Sequence, residues 1–321
     1  MTDVLPSLPE GAAVALLRLR SLGDTLLLTP ALAALHQWRP DLRLVVLVEP
    51  RFAPVLAGNP DLAQVIEVPR HAPGRLAALA ALRREQPQLV LGLHGGTAAA
   101  WLARGSGAPE RACLAGIRHG WAYNRAISVA RGLHTVERNA RLLEGLGMPA
   151  SPPLGPLRLF PLEPVRTLIR RRLLAQGVRG NFAFLSTEAR EPELRWPLEH
   201  FAVLAAWLER EHGLRSVQAS AGAGQPVKGA VMLDGTTVEE LIALEAEAAF
   251  VAGNDGGPIH IAAALGKPVF VAYSTTDIPV WTPWQTPARW LQAHPLSELS
   301  PAAAQQACAE LLQAGAPIPN H

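Results

Sequence analysis

Two stretches of the chain place a carboxylate inside a glycine-containing turn, after an apolar run and before a helical pattern. The first is RSLGDTLLLTP, residues 20–30, where Asp24 follows Gly23 directly. The second is GNDGGPIHIAAALGKPV, residues 253–269, where Asp255, Gly256 and Gly257 lead into Pro258 and His260. A carboxylate at a helix start is favoured in its ionised form by the exposed N–H groups and the helix dipole. Placed there, Asp24 is able to take a proton from a hydroxyl nucleophile, or only to cap its helix. In the second stretch, successive glycines let the backbone approach a ligand closely. The free N–H groups of the first helical turn then face it, an arrangement that holds phosphate without a lysine. A capped connection between strand and helix, with no ligand, fits the same residues. His260 falls in the first helical turn, where packing or hydrogen bonding competes with a role as a base.

Other chemistries fit less well. Asp255 and His260 stand five apart with no third ligand nearby, and no Asp-x-Asp pair occurs in the chain, so no metal site is expected. The only cysteines, Cys113 and Cys308, lack metal-ligand spacing and suggest neither a zinc site nor a disulfide framework; a reducing cytosol is the simpler setting. AGAGQPVKG carries Gly222 and Gly224 but has Val227 where a dinucleotide fingerprint needs its third glycine, and ARGSGAPE lacks that glycine as well. Between the two turns lies STEAREPELRWPLEHF, residues 186–201. Its Ser186, Thr187, Arg190 and Arg195 carry donors suited to phosphate. Trp196 with Pro197 would equally well staple the start of the next helix.

The elements that must position these groups alternate along the chain. Apolar runs at 13–19, 42–48, 63–68 and 88–93 read as strands, with helical patterns such as GRLAALAALRREQ between them. LHTVERNARLLEGLG, residues 133–147, reads as an amphipathic helix closed by glycines. MPASPPLGPL then reads as a linker. The alternation restarts with NFAFLS and runs through RSVQAS, AAFVAG and KPVFVAY, with helices between; Ser300 and Pro301 open a last helix. The expectation is an α/β chain of two Rossmann-like domains, 1–150 and 151–321, with a cleft between them.

Composition bounds the partners. Hydrophobic residues make up 49% and charged residues 17% of the 321, enough for large cores. Aromatics at 5% are too sparse for a single-stranded nucleic-acid surface, so no nucleic-acid partner is expected. No window approaches a membrane span, and the N-terminus lacks the pattern of a signal peptide. Residues 1–150 hold 16 Arg and 11 Asp/Glu, a net +5, while the remainder is at −3. The basic half suits an anionic partner such as a phosphorylated glycan or a membrane surface, although ordinary scatter would produce the same asymmetry.

Taken together and in order, these stretches resemble glycosyltransferase family 9, the heptosyltransferases of the lipopolysaccharide inner core. The matching residues are Arg18, Ser21, Leu22, Gly23, Asp24 and Pro30, then the helix at 133–147, then Arg195 to Phe201, then residues 253–269 with Gly256 in the place of a serine. The resemblance covers nearly the whole chain. It implies a GT-B fold: an acceptor-binding N-terminal domain and a nucleotide-sugar-binding C-terminal domain. It implies inverting transfer without a metal or other cofactor, with Asp24 as the base. It places Arg18, Arg20, Ser21 and Gly23 beside the acceptor. It places Ser186, Thr187, Arg190, Arg195, Asp255, Gly256, Gly257 and His260 around the donor, which would be ADP-heptose. The implied acceptor is an anionic glycan or glycolipid, met in the cytoplasm at the inner face of the inner membrane. Three positions depart from the family pattern: Leu194 where a lysine usually precedes RWP, STTDIP (274–279) for GPTDP, and Arg20 for a small residue.

Overall fold

A computed structural model describes residues 3–150, 153–222 and 224–313 of the chain. Ser151 and Pro152 of the expected linker, and Ala223 of the AGAGQPVKG stretch, lie outside the described residues. The chain divides into two compact units, Met1–Arg158 and Leu159–His321.

The first unit has strands β1 Ala13–Leu17, β2 Arg43–Val48, β3 Gln64–Glu67, β4 Leu89–Gly92, β5 Glu110–Leu114 and β6 Arg125–Ile127. Its helices are α1 Val4–Ser7, α2 Leu22–Leu26, α3 Thr29–Trp38, α4 Ala72–Arg84, α5 Thr97–Gly105 and α6 Thr135–Glu144. The second has β7 Phe182–Ser186, β8 Arg215–Ala219, β9 Val231–Leu233, β10 Phe250–Asn254, β11 Val269–Tyr273 and β12 Ala288–Gln292. Its helices are α7 Glu163–Ala175, α8 Leu198–His212, α9 Val238–Glu247, α10 Gly257–Ala264, α11 Ile278–Trp281 and α12 Pro301–Gln313.

All strands pair in parallel, in the orders β3-β2-β1-β4-β5-β6 and β12-β11-β10-β7-β8-β9. Counted within its own unit, each sheet has the doubly wound order 3-2-1-4-5-6. The central strands are sandwiched between helix layers, so every residue of β1, β7, β10 and β11 is buried. That is why they read as unbroken apolar runs. The strand order reverses between β1 and β4 in one sheet and between β7 and β10 in the other. Ligands in open parallel sheets settle in the crevice outside the carboxyl ends at such a reversal. Asp24 follows β1 and Asp255 follows β10, so both motifs stand at these points. Ser300 caps α12 as expected, its Oγ accepting the Ala303 amide at 3.3 Å.

Candidate functional site

The first crevice is built on Arg18. Its guanidinium is buried at the end of β1; Nη1 donates to the Leu93 carbonyl at the end of β4 (2.8 Å), and Nη2 pairs with Asp24 Oδ1. The other carboxylate oxygen, Oδ2, accepts from the Ser21 hydroxyl at 3.1 Å. Asp24 is therefore held at both oxygens by side chains and does not cap α2. Its side chain remains 21% exposed, against 4% for Arg18. A carboxylate anchored on one side and open on the other is suited to accepting a proton from a bound hydroxyl. Arg18, expected beside the acceptor, has its donors directed inward, and so orients Asp24. Gly23 is buried in α2, beneath it.

Beyond the carboxyl ends of the same strands is a cavity of about 310 Å³ lined by Arg20, Arg70, Arg75, His94, Arg118 and Glu49, among others; its His94 lies within electrostatic reach of Asp24. Buried Glu49 accepts from Arg20 Nε (3.3 Å) and Arg70 Nε (3.0 Å) and pairs with Arg51 (3.3 Å). Burial alone would raise its carboxyl; the Arg70, Arg51 and Arg20 cations outweigh that and hold it below the usual range. Four arginines against one carboxylate give the lining an excess of positive charge. Burial, with the Arg18 guanidinium beside it, pushes the His94 imidazole below its ordinary range. Among the predicted residues, only Arg20 lines this cavity. The others were legible in one respect: Glu49, Arg70, His94 and Arg118 all follow the carboxyl ends of strands.

The second crevice is organised by Asn254, a residue of the GNDGG stretch to which the sequence reading assigned no role. Its Nδ2 donates to the Thr187 carbonyl (2.6 Å) and its Oδ1 accepts the Trp196 amide (2.8 Å). One buried amide thus ties together the ends of β7 and β10 and the RWP turn. Trp196 is buried at 1% exposure, and its Nε1 donates to the Leu299 carbonyl at 2.9 Å, so it is the staple that its sequence context allowed. Ser186 and Thr187 are buried, and Thr187 Oγ1 accepts from Gln218 Nε2 at 2.6 Å. Ser186 lies against Gly253: a Cβ built there would come within 2.5 Å of the Ser186 Cβ, so only glycine lets β10 approach β7 this closely.

Asp255 turns away from solvent, and its Oδ2 accepts from the Thr276 hydroxyl at 2.6 Å. Burial raises its carboxyl above the ordinary value, against the pull of Thr276 and Arg190. Its contact ties the turn to the STTDIP segment, a partner not anticipated. Gly256 caps α10 in an extended conformation, and a Cβ there would meet nothing nearer than Pro258 Cδ at 3.6 Å. The position therefore has room for a side chain. Gly257 and Pro258 open α10, and His260 is buried in its first turn. The two arginines expected around the donor engage their own loop. Arg190 is 86% exposed and pairs with Glu191 (3.2 Å), while Arg195 pairs with Glu188 (3.0 Å). Among the described residues, no three His, Cys, Asp or Glu side chains gather as metal ligands would, and no helix is long and apolar enough to cross a membrane.

A model of glycosyltransferase family 9 (heptosyltransferase) matches residues 75–307. Lipopolysaccharide heptosyltransferase 3 of Escherichia coli K12 is 26% identical over 288 residues, covering 82% of each chain. Among solved structures, the family 9 glycosyltransferase of Veillonella parvula superimposes with a TM-score of 0.86 at 20% identity, over 98% of this chain and 99% of that one. E. coli heptosyltransferase WaaC, solved with ADP, does so at 0.76 and 24% identity, over 93% and 99%. The two Rossmann-like units are those of the GT-B fold.

Proposed function

Since the chain belongs to glycosyltransferase family 9, the heptosyltransferases, and is a glycosyltransferase, we propose that it moves a heptose from ADP-heptose to an anionic glycan of the lipopolysaccharide core. The observation that carries this reading is the placement of Asp24 and of the Asp255–Gly257 turn at the strand-order reversals of their sheets. The first unit takes the acceptor and the second takes the donor. Asp24 removes the acceptor hydroxyl proton as that oxygen attacks the anomeric carbon. Attack from the face opposite the nucleotide inverts the centre, and the bond to the diphosphate breaks as the new glycosidic bond forms. The diphosphate is already a good leaving group and needs only its growing charge met, which the backbone N–H groups opening α10 supply without a metal. The cavity lined by Arg70, Arg75 and Arg118, whose His94 is within electrostatic reach of Asp24, accepts the anionic groups of the glycan. The enzyme works in the cytoplasm on an acceptor at the inner face of the inner membrane.

Leu194 favours a second reading. The family pattern has a lysine there, and Arg190 and Arg195 pair with Glu191 and Glu188 instead of standing in for it. A binding protein that holds the sugar nucleotide without transferring it fits that departure. Asp24→Asn tests the first reading. Turnover should fall by about 10²–10⁴-fold, the usual contribution of a general base, while calorimetry shows ADP-heptose binding unchanged. Near-normal turnover in this variant would refute the base assignment. A wild type that binds ADP-heptose but transfers it to no core acceptor would establish the second reading.

A further inference from the structure

We propose that Trp101 and Trp121 form a membrane-interface anchor that seats the first unit on an anionic bilayer. Trp101 on α5 is 64% exposed, and Trp121 in the loop before β6 is 59% exposed. Their rings meet edge to face, with centroids 6.0 Å apart and planes at 81°. The His119 ring stands against Trp121 at 6.5 Å, and its Nε2 is hydrogen-bonded to the Thr97 hydroxyl at 3.0 Å. The loop is thus tied to the start of α5, and the pair is a built feature of one surface. Two large indoles exposed together are unusual on a soluble face. An indole, apolar with one polar N–H, settles at the headgroup level of a bilayer.

The surrounding charge selects the kind of surface. Residues 97–134 contain five arginines and a single carboxylate, Glu110. Glu110 is taken by Arg125 at 2.6 Å, and Arg111 donates to the Ala108 and Ala122 carbonyls. Arg104, one turn beyond Trp101, and Arg118, three residues before Trp121, are exposed and make no ion pair among the described residues. The segment that carries the indoles is therefore cationic, and its single carboxylate is neutralised by Arg125. Arg118 also lines the acceptor cavity, together with Thr97. The anchor is continuous with the mouth of that cavity. It would set the cavity at the depth where the glycan of a membrane-embedded acceptor emerges. This step rests on the acceptor reading above; the bilayer contact itself does not.

The test uses the full chain in co-sedimentation with phosphatidylglycerol/phosphatidylcholine vesicles and with phosphatidylcholine alone. The wild type should bind the anionic vesicles, and Trp101→Ala/Trp121→Ala should lose at least tenfold. Arg104→Gln should lose about fivefold, the ~1 kcal/mol of one basic residue near an anionic surface. Both indoles are exposed, so the double variant should keep its wild-type melting temperature. Transfer to a water-soluble, deacylated acceptor should be unchanged in the double variant, while transfer to acceptor embedded in vesicles falls. Equal vesicle binding by wild type and double variant would overturn the proposal. A parallel loss of transfer to the soluble acceptor would overturn it too, by showing the indoles to be a glycan-stacking surface. If the wild type binds the vesicles as described but transfers to neither acceptor, the proposed function fails and the anchor stands.

Discussion

Glu245 makes the helical layer behind the α10 turn sensitive to pH. It lies on α9 with no exposure, and neither carboxyl oxygen makes a hydrogen bond of good geometry, the Ala262 amide offering only a weak one. Its polar surroundings are the Ala262 amide of α10 and the Lys267 ammonium; Lys267 donates to the Ala246 carbonyl at 2.7 Å. Burial therefore outweighs both neighbours and pushes the carboxyl well above its ordinary value of 4.5. The sign follows from proton counting. Above that ordinary value the unfolded chain releases the proton while the native state keeps it. The native state binds more protons, and stability falls as pH rises until the raised native value is reached. The decline is that of a single proton, so Tm falls steadily with rising pH above the ordinary value and levels off once the raised native value is passed. Thermal unfolding of the second unit's transition, followed from mildly acidic to mildly alkaline buffer, measures this directly. Glu245→Gln should flatten the decline. Glu245→Leu should flatten it and add about 1–3 kcal/mol by removing a buried group with unmet hydrogen bonds. Identical pH slopes for wild type and Glu245→Gln, or a Leu variant less stable than wild type at the alkaline end, would refute the reasoning.

Two further outcomes follow from the crevices. Arg18→Gln should lower kcat by about 10²-fold through misplacement of Asp24 while KM for the donor holds. Arg18→Lys should recover only part, because one ammonium cannot reproduce the guanidinium's bonds to both Leu93 and Asp24; steady-state kinetics with unchanged kcat in Arg18→Gln would dismiss the positioning role. The two glycines at the ends of the GNDG turn should respond oppositely. Gly256→Ser has room for its Cβ and should keep the wild-type Tm, whereas Gly253→Ala drives a Cβ to 2.6 Å from the Ser186 carbonyl oxygen and should cost about 1–3 kcal/mol, which a pair of melting curves decides.

What could be read from the chain divides along a physical line. Strands buried on both faces, such as Ala13–Leu17 and Val269–Tyr273, are continuous apolar runs and identify themselves. Away from the sheet centre the signal weakens: the edge strand Gln64–Glu67 was legible, but Glu110–Leu114 and Arg125–Ile127 were not, because they carry charged residues and are joined partly by the Glu110–Arg125 ion pair. The helix Glu163–Ala175 was missed for a similar reason, since Arg166 and Arg170 hold it to Glu247 and only Ile169 and Leu173 are buried.

The same line runs through the site. Glycine, aspartate and a following helix are a local pattern, so both turns were legible. Their partners were not, because Leu93, Thr187 and Thr276 come near only once the strand order is known, and no spacing along the chain encodes that order. Arg190 and Arg195 show how a neighbouring charge alters such a reading. Their type suggested phosphate, yet Glu188 and Glu191 lie in the same short loop, and a local carboxylate closes on an arginine without any help from the fold. With Leu194 between them and both arginines engaged by their neighbours, the proposed donor site relies on the backbone N–H groups that open α10. Such groups are fixed by the helix itself and cannot be removed by any single side-chain substitution. Donor affinity in this protein should therefore respond more to changes that move the α10 turn, through Asn254 or Asp255, than to the loss of either arginine.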